Sequence, residues 1–180
     1  MGFHHTAVAT RDLDATHRFY TELMGFELVK VVAGPTEAAG GWAKHAFYEI
    51  TKDEYIAFWD LHDDTLPDFS PALSTGMGLP IWVNHIAFRA TDLKDLEARK
   101  QRWLGHGATV HEIDHGWCRS IYTVDPNGIL VEFCTTTQAM TAADRDEARR
   151  LLTDPHPPLE TPKQVIIHQP EPPALAAKAG

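Results

Sequence analysis

An internal repeat constrains the fold of this chain more than any other feature of its sequence. The segment from His5 to Leu13 aligns without a gap with the segment from His85 to Leu93, at an offset of 80 positions. Self-similarity at a fixed offset indicates a supersecondary unit that is used more than once. Each copy opens with a short strand-like run that carries a histidine, and an aspartate follows seven positions later. The sequence therefore predicts two related modules.

Both modules show the pattern of a strand, a helix and three further strands. Asp12 and Asp92 are expected to cap two helices, because an aspartate side chain can accept the free N–H groups of a first helical turn. Apolar residues at helical spacing follow over 13–24 and 93–104, and glycine ends each run. Strands are predicted at residues 26–32, 42–50, 55–61, 108–113, 120–124 and 129–135. The unit is therefore β-α-β-β-β, used twice, which is an α+β arrangement.

These patterns predict the boundaries of the modules. The first module is expected over residues 1–64, a linker over 65–80 and the second module over 81–137. Residues 138–180 differ in character, and a helix opened by Thr141 is expected to begin them.

The end of the chain is expected to be extended. Residues 155–180 hold seven of the twelve prolines, which is unsuitable for a helix or a central strand. The segment is expected either to be loose or to wrap a partner subunit through residues 165–167.

Composition limits the functions that the chain can have. Apolar residues make up 43% of the sequence, an ordinary value for a globular protein, and no apolar run is long enough to span a bilayer. The net charge of -9 argues against a nucleic-acid partner. Cys118 and Cys134 do not make a disulfide framework, so a reducing cytoplasm is the expected location. Small-molecule chemistry fits these properties best.

One strand of the second module carries an unusual carboxylate. The segment Asp125-Pro-Asn-Gly128 predicts a tight turn between the strands at 120–124 and 129–135. In this hairpin Glu132 lies in the middle of an apolar strand, and Tyr122 lies directly across from it. Burying a lone carboxylate is costly unless it is paired or binds a metal.

The repeat supplies two further candidate ligands, because His5 and His85 occupy equivalent positions. If the modules pack about a local two-fold axis, both imidazoles can face one centre. Two imidazoles and one carboxylate suit non-haem Fe(II), with Mn(II) as an alternative, and leave positions open for substrate and oxygen. The sequence therefore predicts that His5, His85 and Glu132 bind one divalent metal. For any single histidine, a surface or hydrogen-bonded role is the alternative.

These features resemble the vicinal-oxygen-chelate superfamily, which includes glyoxalase I, extradiol dioxygenases and fosfomycin-resistance proteins. The resemblance covers about residues 2–136 and implies paired βαβββ modules that form a cupped mixed sheet around the metal, with helices outside. The matching residues are His5, Asp12-Leu13, Phe19-Tyr20, Leu23-Met24-Gly25-Phe26, His85, Asp92-Leu93 and the segment 125–132.

Within the superfamily, the residues resemble the extradiol ring-cleaving dioxygenases most. Glyoxalase I enzymes carry a fourth ligand, a glutamate inside the last strand of the first module, where this chain has carboxylates only at the strand edges, at Glu54 and Asp60. Extradiol enzymes carry a substrate-facing tyrosine ten residues before the glutamate ligand, as Tyr122 precedes Glu132. The resemblance implies Fe(II), with Mn(II), Zn(II) or Ni(II) as alternatives. It also implies a dihydroxy-aromatic substrate, O2 and a homodimer or higher homo-oligomer.

The same resemblance suggests roles for neighbouring residues. Tyr122 would hydrogen-bond the substrate, and His115 is a candidate acid–base group, since a histidine titrates near neutral pH. His4 matches a second histidine that hydroquinone-type enzymes place before the first ligand, although strand alternation predicts that it faces the opposite side of the sheet. The acid–base histidine of catechol-type members has no match, and Glu54 lies near its place.

Two rival functions stay open. A glyoxalase-like lyase or isomerase would stabilise an enediolate on the metal, using a fourth carboxylate ligand and Ni(II) or Zn(II). A metal-free drug-binding protein, like those that sequester bleomycin, would typically lack the ligand set. Arg119 is expected to be a solvated charge, and five further histidines are expected at the surface, namely His45, His106, His111, His156 and His168.

Overall fold

The computed structural model describes residues 2–171, which form two mixed β-sheets and three α-helices. The α+β fold predicted from two βαβββ modules is confirmed. The helices are α1 (Leu13–Arg18), α2 (Leu93–Gly105) and α3 (Ala142–Leu152). The strands are β1 (His5–Thr10), β2 (Glu27–Pro35), β3 (Trp42–Thr51), β4 (Glu54–His62), β5 (His85–Arg89), β6 (Val110–Asp114), β7 (Cys118–Val124), β8 (Leu130–Thr136) and β9 (Gln164–His168).

The two sheets share one topology. The strand order is β1-β4-β3-β2 in the first sheet and β5-β8-β7-β6-β9 in the second. In each module the first strand runs parallel to the last strand, and the other pairs are antiparallel. Within the described residues, β1 and β5 are therefore edge strands, and each begins with one of the repeated histidines.

The first helix begins as the sequence predicts but does not stay α-helical. The Asp12 side chain accepts a hydrogen bond from the Ala15 N–H at 2.8 Å. After Arg18 the backbone widens into a π-helical turn, in which the Met24 N–H donates to the Phe19 carbonyl at 3.1 Å. The wider turn allows the adjacent residues Phe19 and Tyr20 to be buried together.

The helix-facing sides of both sheets contribute to one apolar core. The Phe26 ring from the first module lies 5.1 Å from the Phe88 ring and 6.2 Å from the Phe133 ring of the second module, measured between centroids. Trp103 of α2 is fully buried against Phe133. The opposite faces of the two sheets, called the open faces below, are not covered by this core.

A buried polar network joins the modules beside the core. The Thr10 hydroxyl donates to Asn127 Oδ1 at 2.8 Å, and Asn127 Nδ2 donates to Thr16 Oγ1 at 3.2 Å. The two threonine hydroxyls are 2.8 Å apart, which closes a ring of hydrogen bonds. The Tyr20 hydroxyl donates to Asp125 Oδ2 at 3.1 Å, and burial raises the pKa of both Asp125 and Tyr20. The network holds the turn of the β7–β8 hairpin against the first module.

The segment Gln164–His168 adds a strand, β9, to the second sheet. The tail segment predicted to be loose or to wrap a partner instead pairs antiparallel with the chain's own β6, between Gln164–His168 and Val110–Asp114. The predicted helix is present, and Thr141 and Asp144 form a capping box at its start. The rest of the predicted extended tail, residues 172–180, lies outside the described residues. In residues 2–171 no helix is long and apolar enough to cross a membrane.

Glu112 is expected to anchor β9 to the sheet. Its Oε2 atom lies 2.9 Å from both Lys100 Nζ and His168 Nε2. Burial alone would raise the pKa of Glu112, but these hydrogen bonds outweigh burial and lower the pKa below its usual value of 4.5. A carboxylate with a lowered pKa stabilises the folded state above its unfolded pKa, and this contribution is lost as the pH falls through the folded pKa.

We therefore expect Glu112→Gln to lower the free energy of unfolding by about 1–2 kcal/mol at pH 7, since hydrogen bonds to charged groups are replaced by weaker ones. Urea unfolding at several pH values measures this effect. The difference from the unmodified protein should shrink as the pH falls below 4.5, the usual pKa of a glutamate. A difference that is constant with pH would contradict this account of the anchor.

Candidate metal centre

Two of the three predicted metal ligands are in contact. His85 lies at the start of β5, and Glu132 lies on the neighbouring strand β8, where it pairs with Ala87. Because Ala87 is two residues after His85, both side chains are on the same face of the sheet. The His85 Nε2 atom is 3.1 Å from Glu132 Oε2, and the side chain of Glu132 is only 7% exposed.

The hydrogen bonding of His85 leaves a site for a cation. The His85 Nδ1 atom lies 3.0 Å from the carbonyl oxygen of Trp82. A carbonyl oxygen can only accept, so Nδ1 carries the hydrogen, and in the neutral imidazole Nε2 presents a lone pair. That lone pair faces an acceptor oxygen of Glu132, which is unfavourable unless a proton or a metal ion lies between them. Metal-ligating histidines typically donate their other N–H to a backbone carbonyl in this way. The donor set therefore fits a divalent metal.

The third predicted ligand, His5, lies in the other sheet. Its Nδ1 atom is 2.8 Å from Nδ1 of His4. His4 precedes the first residue of β1, so strand alternation does not apply to it, and its ring contacts the candidate ligand instead of facing away. Within residues 2–171, no group of three or more His, Cys, Asp or Glu side chains is placed to hold one metal ion. A single chain therefore joins His85 to Glu132 but does not bring His5 to them.

The two predicted catalytic residues lie in contact beside Glu132. Tyr122 of β7 pairs directly with Glu132, in the register expected from the sequence. The Tyr122 hydroxyl is 3.1 Å from His115 Nε2. Burial raises the pKa of Tyr122, and the nearby Glu132 carboxylate raises it further, so the hydroxyl keeps its proton at neutral pH. The Tyr122 hydroxyl can therefore donate a hydrogen bond on the open face of the second sheet, next to Glu132.

The shared topology identifies the residue of the first module that corresponds to Glu132. In the second sheet Glu132 pairs with Ala87, two residues after the histidine of β5. In the first sheet Ala57 pairs with Ala7, two residues after the histidine of β1. The position equivalent to Glu132 is therefore Ala57, which has no donor atom. Asp60 was expected at the strand edge but lies within β4, where it pairs with Thr10 and Lys44, and its Oδ2 atom is 2.8 Å from His62 Nε2.

His45 is a residue whose position the sequence analysis missed. It was expected at the surface, and this was wrong, because the residue is only 7% exposed. Its ring stacks on Trp59 at 3.8 Å and lies 6.1 Å from the His5 ring. Burial lowers the pKa of His45, and His5 lowers it further. Its Nε2 atom is buried without a hydrogen-bond partner among the described residues. The alternation of β3, which puts His45 on the same face as Ala43 and Phe47, was the available signal.

Other polar residues of the second module have structural roles. Arg119, expected as a solvated charge, pairs with Asp114, with Nη2 3.0 Å from Oδ2. His168, also expected at the surface, is half-buried through its contact with Glu112. Three of the histidines expected at the surface are exposed, namely His106, His111 and His156. The cysteines are free thiols, and burial raises the pKa of Cys134 to about 12.

This fold and pattern of residues match a known group of proteins. The model of the Glyoxalase/Bleomycin resistance protein/Dioxygenase superfamily matches residues 2–133. The chain belongs to this superfamily. The superfamily includes enzymes, and its members bind small molecules, commonly bind divalent metals and are often oligomeric.

Three solved structures have a similar fold. A glyoxylase/bleomycin resistance protein/dioxygenase domain from Frankia sp. EAN1pec has a TM-score of 0.56 and 19% identity, and the match covers 76% of this chain and 98% of that one. Lactoylglutathione lyase from Agrobacterium tumefaciens has a TM-score of 0.50 and 21% identity, covering 74% and 92%. TnmS3, an antibiotic-binding protein from Streptomyces sp. CB03234, has a TM-score of 0.50 and 17% identity, covering 76% and 97%. Comparison with curated protein sequences gives no match.

Proposed function

We propose that this protein is a divalent-metal-dependent enzyme, an Fe(II) extradiol-type dioxygenase that uses O2 to open the ring of a dihydroxy-aromatic compound. The observation that carries the proposal is the 3.1 Å contact between His85 Nε2 and the buried carboxylate of Glu132 on the open face of the second sheet. Two histidines and one carboxylate suit non-haem Fe(II), and Mn(II), Zn(II) and Ni(II) are alternatives.

We infer that the third ligand, His5, comes from a second copy of the chain. Strands β1 and β5 are edges among residues 2–171 and present unpaired backbone N–H and C=O groups. Each begins with a candidate ligand, so side-by-side association of β1 with the β5 strand of a second copy would bring His5 towards His85 and Glu132. A symmetric dimer would hold two such centres.

The metal and the residues beside it would have separate roles in the reaction. A bound metal would lower the pKa of a substrate hydroxyl and hold the substrate in place. Tyr122 would donate a hydrogen bond to a substrate oxygen, because its hydroxyl keeps its proton. His115, the proposed acid–base group, would orient that hydroxyl through the 3.1 Å contact between its Nε2 atom and the Tyr122 oxygen. The position of Ala57 leaves the metal without a fourth protein ligand, so substrate and O2 have room to bind.

The variant Tyr122→Phe tests the role of the hydroxyl. We expect ring-cleaving turnover to fall by about 10²–10⁴-fold, the usual contribution of a positioned proton donor. Metal affinity should stay within about twofold, because the phenol is not a ligand. Steady-state oxygen uptake and metal titration measure the two effects. Equal losses in turnover and metal affinity would contradict this role.

The proposed activity has a direct test. The protein is reconstituted with Fe(II) under anaerobic conditions, and oxygen uptake is then measured with catechols and hydroquinones. We expect uptake with at least one diol and its loss in Glu132→Ala. A screen in which no diol supports oxygen uptake would contradict the dioxygenase proposal.

The two rival functions make different predictions. A glyoxalase-like lyase would be active with Ni(II) or Zn(II) without oxygen, and Ala57 disfavours it because the expected fourth carboxylate is missing. A metal-free drug-binding protein would bind its ligand tightly after metal removal, and the His85–Glu132 contact disfavours it. Isothermal titration of the metal-stripped protein with bleomycin-type drugs distinguishes that alternative.

A further inference from the structure

The open faces of the two sheets differ in chemistry at equivalent positions. On the second sheet Glu132 pairs with Tyr122, and both are polar. On the first sheet the equivalent pair is Ala57 and Phe47. The duplicated fold therefore presents one polar half and one apolar half. If both halves contribute to one site, a ligand that fits it has a polar end and an apolar end.

The apolar half contains a large cavity. It has a volume of about 600 Å³, within the range of small-molecule sites. Small residues create the space, and the Trp59 ring forms one wall and is held by stacking on His45 at 3.8 Å. The cavity is lined by Ala7, Val8, Ala9, Val32, Ala33, Gly34, Pro35, Thr36, Ala43, Trp59 and Leu61.

The cavity lies next to a candidate metal ligand. Ala7 and Ala9 of β1 line it, and they follow His5 on the same face of the strand. At the rise of a β-strand, Ala7 is about 7 Å and Ala9 about 14 Å from His5. A single dihydroxylated ring held at the metal would leave most of the cavity empty. A group attached to that ring could reach into it.

We propose that the substrate carries a rigid apolar group, at least as large as a second aromatic ring, beside its metal-binding oxygens, and that this cavity binds that group. That the oxygens of the substrate bind the metal rests on the proposed function. Binding of the apolar group depends only on the cavity, because removing a ring from water is favourable whether or not a metal is present.

The test compares two probes on the metal-free, full-length protein. Isothermal titration measures the affinity for 2,3-dihydroxynaphthalene and for catechol, which differ by one fused ring. We expect the two-ring diol to bind at least about tenfold more tightly, because more apolar surface is buried.

Two phenylalanine variants of β2 sharpen the test. Gly34→Phe fills the cavity, since a Cβ atom at Gly34 meets no heavy atom within 4 Å in the described part of the chain. Val31→Phe is the matched control, because Val31 is on the same strand, is 47% exposed and does not line the cavity. We expect Gly34→Phe to remove the preference for the two-ring diol and Val31→Phe to keep it, with both variants folded by circular dichroism.

Equal affinities for both probes, or a preference that survives in Gly34→Phe, would overturn the inference. A second copy that packs over the cavity would exclude the two-ring probe and would overturn it as well. Because the titration uses neither metal nor oxygen, a failed oxygen-uptake screen does not affect its outcome. Conversely, ring cleavage that is confined to one-ring diols and unchanged in Gly34→Phe would overturn this inference and leave the proposed function standing.

Discussion

Replacing Glu132 with glutamine is expected to weaken divalent-metal binding by more than about a hundredfold, because loss of even an outer-shell partner costs 10–100-fold and Glu132 is a proposed direct ligand. Turnover should be lost with the metal. Glutamine keeps the shape and fills the same space beside His85, so the change removes the charge and leaves the packing in place. Isothermal titration calorimetry with the metal measures the affinity of the variant and of the unmodified protein.

The same variant makes a second prediction that separates a ligand from a structural residue. In the metal-free protein, Glu132→Gln should be as stable as the unmodified protein or more stable, because the desolvation cost of a buried carboxylate is removed. The unmodified protein should gain stability when metal is added, and the variant should not. Glu27→Gln on the exposed strand β2 is the control and should behave like the unmodified protein. Metal binding that survives in Glu132→Gln would contradict the proposed centre.

Replacing Asn127 with alanine is expected to have the largest effect on stability. The Asn127 side chain bonds to Thr10, Thr16 and Asp125 in a region with almost no solvent access. Its loss leaves buried threonine hydroxyls short of partners, and we expect the free energy of unfolding to fall by about 2–4 kcal/mol. Urea unfolding followed by circular dichroism measures the change.

The control for this variant is Gln101→Ala, an exposed position on α2 whose side chain donates a hydrogen bond to Glu97. It should change stability by less than about 0.5 kcal/mol, as most surface substitutions do. Because Asn127 lies in the turn of the hairpin that carries Tyr122 and Glu132, its loss should also weaken metal binding. A small effect of Asn127→Ala on both properties would mean that the network does not hold the hairpin in place.

Local patterns in the sequence were sufficient to predict the fold and the pairing next to Glu132. Asp12 and Asp92 cap helices as expected, because a cap depends on residues within one helical turn. Tyr122 lies across from Glu132 because the tight turn fixes the register of a hairpin. The family resemblance followed from the same short-range features and is confirmed by the match over residues 2–133.

Features that depend on distant parts of the chain could not be predicted. The pairing of β9 with β6 joins residues fifty or more positions apart, and nothing in the proline-rich tail identifies its partner. The alternation of β3 gives the face on which His45 lies, but its burial also depends on Trp59 of the next strand, which covers the ring. Whether His5 meets Glu132 depends on how modules associate, and the repeat is compatible with association inside one chain or between two.

The most direct test of a metal centre shared between two copies is a mixing experiment. We expect the variants His5→Ala and Glu132→Ala each to be inactive alone. The two variants are mixed, unfolded and refolded together. In a symmetric dimer with shared sites, half of the dimers are mixed and each holds one intact centre, so about a quarter of the metal-binding capacity returns. No recovery on mixing, with both variants folded and dimeric, would contradict the shared centre.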